Sequence, residues 1–172
     1  MKNIVLIIAG GVGARMGQDI PKQFINVYDK PVIVYTLEAF QKHPSIDAIE
    51  VVCLDGWHDV LWAYAKQFGI AKLENIVSGG KNGQDSIRNG LYDIASRHNG
   101  SDDIVLVHDA IRPMVSNDII SDNIRVCRQY GNAITVVPCT AAMLKTFDSL
   151  STEEQVLSLI HISEPTRHLR IS

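Results

Sequence analysis

Residues 4–17 read Ile-Val-Leu-Ile-Ile-Ala-Gly-Gly-Val-Gly-Ala-Arg-Met-Gly. The opening apolar run does not alternate with polar residues, as expected of a strand covered on both faces. With Met1-Lys2-Asn3 ahead of it, the run could be mistaken for the start of a signal peptide. It is too short for one and leads into glycines, not a small-x-small cleavage site. Glycines after a strand let the backbone turn sharply and approach a ligand with no Cβ in the way. Successive N–H groups in such a loop form an anion-binding concavity. Arg15 adds a planar, permanent cation suited to phosphate oxygens, and Lys22 adds a second just beyond Pro21. A tight strand-to-helix turn needs glycine in any case; the two cations in one loop favour a phosphate site.

Working outward, strand and helix patterns alternate. Residues 32–43 follow Pro31 and place Val32, Tyr35, Ala39 and Phe40 on one helical face. Residues 49–54 read as a second strand. Residues 57–68 carry Val60, Leu61, Tyr64, Ala65 and Phe68 at helical spacing, with Gly69 as a stop. Residues 75–78 read as a third strand, and residues 84–98 carry Ile87, Leu91 and Ile94 at helical spacing. Residues 104–108 form a fourth strand. Residues 118–130 form a helix with Asn117 as its N-cap and Gly131 as its end. Residues 133–137 complete the pattern as a fifth strand closed by Pro138. This order predicts an α/β fold, a mainly parallel sheet with helices on both faces. Ligands in such sheets sit at the carboxyl ends of the strands. Trp57 and Trp62 are expected to cover a helix–sheet interface, and His108 to be a packed, hydrogen-bonded residue, not a base.

The 172 residues suit one domain with a core of its own. Apolar residues make up 46% and the net charge is −3, which disfavours nucleic acid and anionic membranes as partners. No run of about 18 apolar residues would span a bilayer. Cys53, Cys127 and Cys139 are widely spaced and lack a CxxC pair, as expected of buried thiols in a cytoplasmic protein. The last stretch, from Leu157 to Ser172, has no helical face and carries Pro165 in its middle. It resembles translated sequencing-adapter read-through. On that reading residues 1–156 are an incomplete, C-terminally truncated domain and residues 157–172 a non-native tail.

Two well-known phosphate loops do not fit. A dinucleotide fingerprint starting at Gly11 needs Gly or Ala where Met16 stands, and a P-loop needs Gly-Lys-Ser/Thr, which neither the first loop nor residues 79–84 supply. The stretch from Ile8 to Met16, with Pro21-Lys22-Gln23-Phe24, instead resembles the signature of the 2-C-methyl-D-erythritol 4-phosphate cytidylyltransferases and the related ribitol-5-phosphate cytidylyltransferases. Gly79-Gly80 with Asp85-Ser86, then Val107-His108-Asp109-Ala110-Ile111-Arg112-Pro113, match the next two motifs of that family in order and spacing.

The resemblance implies a Rossmann-like nucleotidyltransferase domain, dimeric in its full-length form through an extended arm. It implies transfer of a cytidylyl group from CTP to a polyol phosphate, with release of pyrophosphate and with Mg²⁺ as the cofactor. Arg15 and Lys22 would contact the triphosphate and the reacting α-phosphate as the catalytic cations. The backbone of the loops holding Ala9, Gly10, Gly11, Gly13 and Gly80 would bind the nucleotide, helped by the Ser86 hydroxyl. Asp109 would sit beside the ribose, the metal and the second substrate, and Arg112 would orient Asp109 or its loop. Two departures bear on the acceptor: Gly83 stands where the family commonly has an arginine, and Ala141-Ala142 where it often has Asp-Thr. The family name points to methylerythritol phosphate and isoprenoid precursor synthesis, whereas the Ala-Gly-Gly loop and Ala110-Ile111 lean toward ribitol 5-phosphate and cell-wall or polysaccharide precursors. A CTP-binding fragment without turnover and a nicotinamide-dependent oxidoreductase are the competing readings.

Overall fold

Strand β1, Asn3–Ala9, is the central element, and Val5, Leu6 and Ile7 are inaccessible to solvent. The computed structural model describes residues 1–11, 20–98, 100 and 102–137, and the short strands at 143–145 and 154–157 in backbone only. After β1, residues Lys22–Phe24 form a single 3₁₀ turn. A two-residue hairpin follows, β2 (Asn26–Val27) against β3 (Lys30–Pro31), with Tyr28 in the left-handed region at φ 55°. Then come α1 (Val32–Lys42), β4 (Ala48–Cys53), α2 (His58–Gln67), β5 (Leu73–Ser78), α3 (Gly83–Arg97), β6 (Ile104–Asp109) and α4 (Asn117–Tyr130).

The sheet has the order β5-β4-β1-β6, and all its neighbours are parallel. The chain therefore builds outward through β4 and β5, then crosses back to lay β6 on the other side of β1. The strand order reverses at β1, which makes the carboxyl ends of β1 and β6 a topological switch point. Helices cover both faces. Ile94 of α3 packs with Ile4, Leu6 and Val52 on one face. On the other face Phe40 of α1 meets His108 edge-on, 5.0 Å between ring centroids, and His108 is in register with Ile7. The α/β expectation holds, and each strand read from sequence between residues 4 and 109 is present. Met1–Ile124 forms one compact unit and Arg125–Ser172 a second, which contains an antiparallel pair, β7 (Met143–Lys145) with β8 (Glu154–Leu157).

Four local expectations need correction. The buried face of α1 is Ile33, Thr36, Leu37 and Phe40, with Val34 beside it; Tyr35 and Ala39 lie at its margin. The helix runs through an almost wholly apolar start, so periodicity alone could not phase it. Trp62 is 41% exposed and covers no interface, whereas Trp57 stacks on Phe24 at 4.5 Å. Ser116, not Asn117, caps α4: its Oγ accepts from the Ile119 N–H at 3.3 Å. Residues 132–137 carry no regular secondary structure, and Val137 is 84% exposed. An apolar segment becomes a strand only when a neighbour takes its backbone hydrogen bonds. Cys53 is buried and Cys127 half-buried, whereas Cys139 and the tail 158–172 lie outside the described residues.

Candidate active site

The carboxyl ends of β1, β4 and β5 converge through glycine. The Gly79 N–H donates to the Cys53 carbonyl at 2.9 Å, which draws the β5 loop across the end of β4. It arrives beside the β1 loop: a Cβ on Gly10 would lie 3.5 Å from the Gly79 Cα and 3.4 Å from the Ser86 Oγ. The two loops read as separate motifs in the sequence are thus one surface, with the Ser86 hydroxyl at their junction. Ser86 is buried in the first turn of α3. Its Oγ accepts from the Gly80 N–H at 2.9 Å and donates to the Asn82 carbonyl at 2.9 Å. Both groups are committed to shaping the loop, which leaves one lone pair of the hydroxyl for a ligand. Gly80 tolerates no side chain, because a Cβ there would fall 2.7 Å from the Asp85 backbone carbon.

The start of α3 is fixed by a reciprocal cap. Asn82 Oδ1 accepts from the Asp85 N–H at 2.9 Å, and Asn82 Nδ2 donates to Asp85 Oδ2 at 3.0 Å. The first bond satisfies one orphan donor of the first turn, and the second, between the two side chains, fixes the cap in place. Its sequence signal is Asn82-x-x-Asp85, set among the glycines at 79, 80 and 83.

On the other side of β1 the chain leaves β6 at Asp109, in register with Ile8. The Ala110 N–H donates to the Ile8 carbonyl at 3.0 Å, so the sheet pairing runs one residue past the strand. Arg112 Nε donates to Asp109 Oδ2 at 2.6 Å, both side chains being largely exposed. An exposed pair of this kind adds little stability, but it sets where both charges sit. Thr36, outside the motif, and His108, within it, hold the loop from beneath. The Thr36 hydroxyl of α1 donates to the Ala110 carbonyl at 2.7 Å, and His108 Nε2 lies 2.9 Å from the Arg112 carbonyl. A carbonyl acceptor means that Nε2 carries the proton, so His108 is a structural donor here, as its sequence position suggests.

Lys22 opens the 3₁₀ turn after the Gly-rich segment and is half-buried. Among the described residues no carboxylate pairs with its ammonium group. Its neighbour Gln23 is buried, and Gln23 Nε2 donates to the Ala9 carbonyl at 2.7 Å and the Gly11 carbonyl at 3.2 Å. The turn bearing Lys22 is therefore tied to the end of β1. The structure thus brings Gly10 against Gly79 and Ser86, whose hydroxyl also holds the Gly80 N–H, while Ala9 and Gly11 are tied through Gln23 to the turn that bears Lys22. Asp109 and Arg112 pair with each other at the neighbouring strand end. Gly13 and Arg15 lie outside the described residues.

The sequence profile of the family described as IspD, 2-C-methyl-D-erythritol 4-phosphate cytidylyltransferase, matches residues 3–161. A ribitol-5-phosphate cytidylyltransferase of Lacticaseibacillus paracasei is 49% identical over 133 residues, 77% of this chain and 56% of that protein. A 2-C-methyl-D-erythritol 4-phosphate cytidylyltransferase of Clostridium botulinum strain Okra is 41% identical over 146 residues, 84% of this chain and 62% of that one. The crystal structure of the Francisella tularensis 2-C-methyl-D-erythritol 4-phosphate cytidylyltransferase superposes with a TM-score of 0.69 at 26% identity, over 92% of this chain and 67% of that one. The chain thus spans a little over half the length of the curated relatives it matches. With a profile match over nearly its whole length and glycine loops that meet at the carboxyl end of a parallel sheet, the chain belongs to the 2-C-methyl-D-erythritol 4-phosphate cytidylyltransferase family.

Proposed function

We propose that the protein from which this chain comes transfers the cytidylyl group of CTP to a polyol phosphate. An acceptor phosphate oxygen attacks the α-phosphorus, the new P–O bond forms, and the bond to the bridging oxygen breaks as pyrophosphate leaves. The observation that carries this reading is the junction of Gly10 with Gly79 across the Ser86 hydroxyl, with Lys22 in the turn that Gln23 ties to Ala9 and Gly11. A glycine-lined surface admits a nucleotide close to backbone, and a cation beside it offsets the repulsion between two phosphates. Transfers of this class depend on positioning and charge neutralisation more than on covalent help. In this reading Arg15 and Lys22 neutralise the reacting phosphates, Ala9, Gly10, Gly11, Gly13 and Gly80 bind the nucleotide, and Arg112 holds Asp109 in place.

Asp109 suits a magnesium ion. Its Oδ1 takes no hydrogen bond from the described residues, and Mg²⁺ habitually uses one or two carboxylates with substrate phosphates and water. Among the described residues no ready-made cluster of three or more His, Cys, Asp or Glu exists, so the phosphates would supply the other ligands. Bound there, the ion would offset charge on the leaving pyrophosphate.

Of the two acceptors, ribitol 5-phosphate has the support of the more similar curated relatives, at 49% and 46% identity. Methylerythritol phosphate has the support of the family profile. Pyrophosphate release with CTP and each acceptor in turn, on a chain of the relatives' full length, separates them. No release with either, at saturating CTP and Mg²⁺, would overturn the reading. The present chain, tested alone, distinguishes catalysis from simple binding: calorimetric CTP binding without release marks a nucleotide-binding fragment. The full-length protein is proposed to be a cytoplasmic homodimer, which sedimentation would test. No helix among the described residues is long and apolar enough to cross a membrane.

A further inference from the structure

We propose that Gln23 is a positioning residue that turns the carbonyl oxygens of the first glycine loop away from the nucleotide; this rests on the CTP-binding reading above. A glycine loop has no preferred orientation of its peptide planes. It can present N–H groups to an anion or, equally, carbonyl oxygens that would repel it. Gln23 breaks that symmetry. Its carboxamide is 1% exposed, and both protons of its Nε2 are spent on backbone carbonyls, those of Ala9 and Gly11. A trans peptide is planar, so fixing the Ala9 carbonyl toward Gln23 points the Gly10 N–H the opposite way. The same side chain satisfies one acceptor at the end of a buried strand and a second just past it.

The position also couples two parts of the site. Gln23 is the middle residue of the turn that starts at Lys22, so the loop's backbone and the lysine are braced by one amide. Pro21 fixes the entry to that turn, and its carbonyl accepts from the Phe24 N–H at 2.8 Å. Phe24 stacks on Trp57 and holds the turn from the far side. The turn has little freedom of its own, and its orientation is passed to the loop through the two Gln23 hydrogen bonds.

The test compares wild type with Gln23→Ala and Gln23→Glu. Alanine removes the donors; glutamate keeps the shape but sets a carboxylate against two carbonyls. CTP affinity is measured by calorimetry at a temperature where every variant is folded, and amide hydrogen exchange at Gly10 is followed without ligand. We expect Gly10 exchange to change in both variants and the Kd for CTP to rise at least about 10-fold, the loss of one or two hydrogen bonds in a desolvated site. Should Gln23→Glu fail to fold, Gln23→Ala alone decides. Unchanged Gly10 exchange, or folded variants that bind CTP as wild type does, would overturn the proposal. Wild type that binds no CTP would overturn the parent reading instead, while the exchange measurement still reports on Gln23.

Discussion

At the scale of single residues, the site depends on where side chains are absent as much as on where they are present. Gly90 in α3 shows this away from the chemistry: a Cβ there would come within 2.5 Å of Leu6 Cδ1 and 2.9 Å of Val52 Cγ2. The helix sits on the sheet at the closest approach glycine allows. Gly90→Ala is expected to destabilise the protein by about 1–3 kcal/mol, the usual cost of overpacking a tight interface, seen as a lower thermal midpoint. An unchanged midpoint would mean that α3 can lift off at no cost. For the reaction, Arg15→Ala and Lys22→Ala, each made in a chain of the relatives' length, are expected to lower turnover by at least about 10²-fold with the fold intact. Near-normal rates in both would remove these cations from the chemistry. The sequence exposed these cations through their chemistry. It did not expose Gln23 or Thr36 as braces, because a hydrogen bond to a distant backbone carbonyl leaves no mark on local pattern.

At the scale of elements, α3 carries the cap and the Ser86 hydroxyl at one end and an ionic clamp at the other. Arg97 reaches Glu50 of β4, Asp93 one turn earlier at 2.8 Å and Glu74 of β5 at 3.3 Å; Asn75 donates to Asp93 at 2.8 Å. His98 Nε2 lies 2.9 Å from Glu74. Glu50 lies within the sheet under this clamp, and one of its oxygens has no hydrogen-bond partner among the described residues. Burial, with the Asp93 charge beside it, pushes the Glu50 carboxyl up to about 8 despite the neighbouring guanidinium. A group whose pKa is raised on folding stabilises the protonated fold. That contribution is complete below the ordinary carboxyl value of 4.5 and is lost as pH rises through about 8. Wild type is therefore expected to lose stability relative to Glu50→Gln between those limits. Thermal midpoints of the two proteins across that range check this; parallel profiles would show that Glu50 is ionised throughout. Sequence periodicity located α3 but not this clamp, since it joins residues from three elements.

At the scale of the molecule, the order β5-β4-β1-β6 decides which loops meet. The segment 132–137, without regular structure and with Ile134, Val136 and Val137 exposed, is the expected site of first proteolytic cleavage. Limited proteolysis read by mass spectrometry should yield a fragment that keeps the four-stranded sheet. Early cuts between residues 48 and 109 would contradict that order of stability. Taken alone, the sequence determined the alternation of strand and helix, the parallel sheet and the identity of the glycine loops and cations. Those properties are local: apolar runs, turn chemistry and residue type act over a few neighbours. Only the tertiary structure decided that Gly10 and Gly79 touch, that Ser86 braces its own loop, which face of α1 is buried, and that residues 133–137 form no strand. Each of these depends on which distant segment supplies a partner for a backbone group or fills the space beside a side chain, and periodicity within one segment does not encode that.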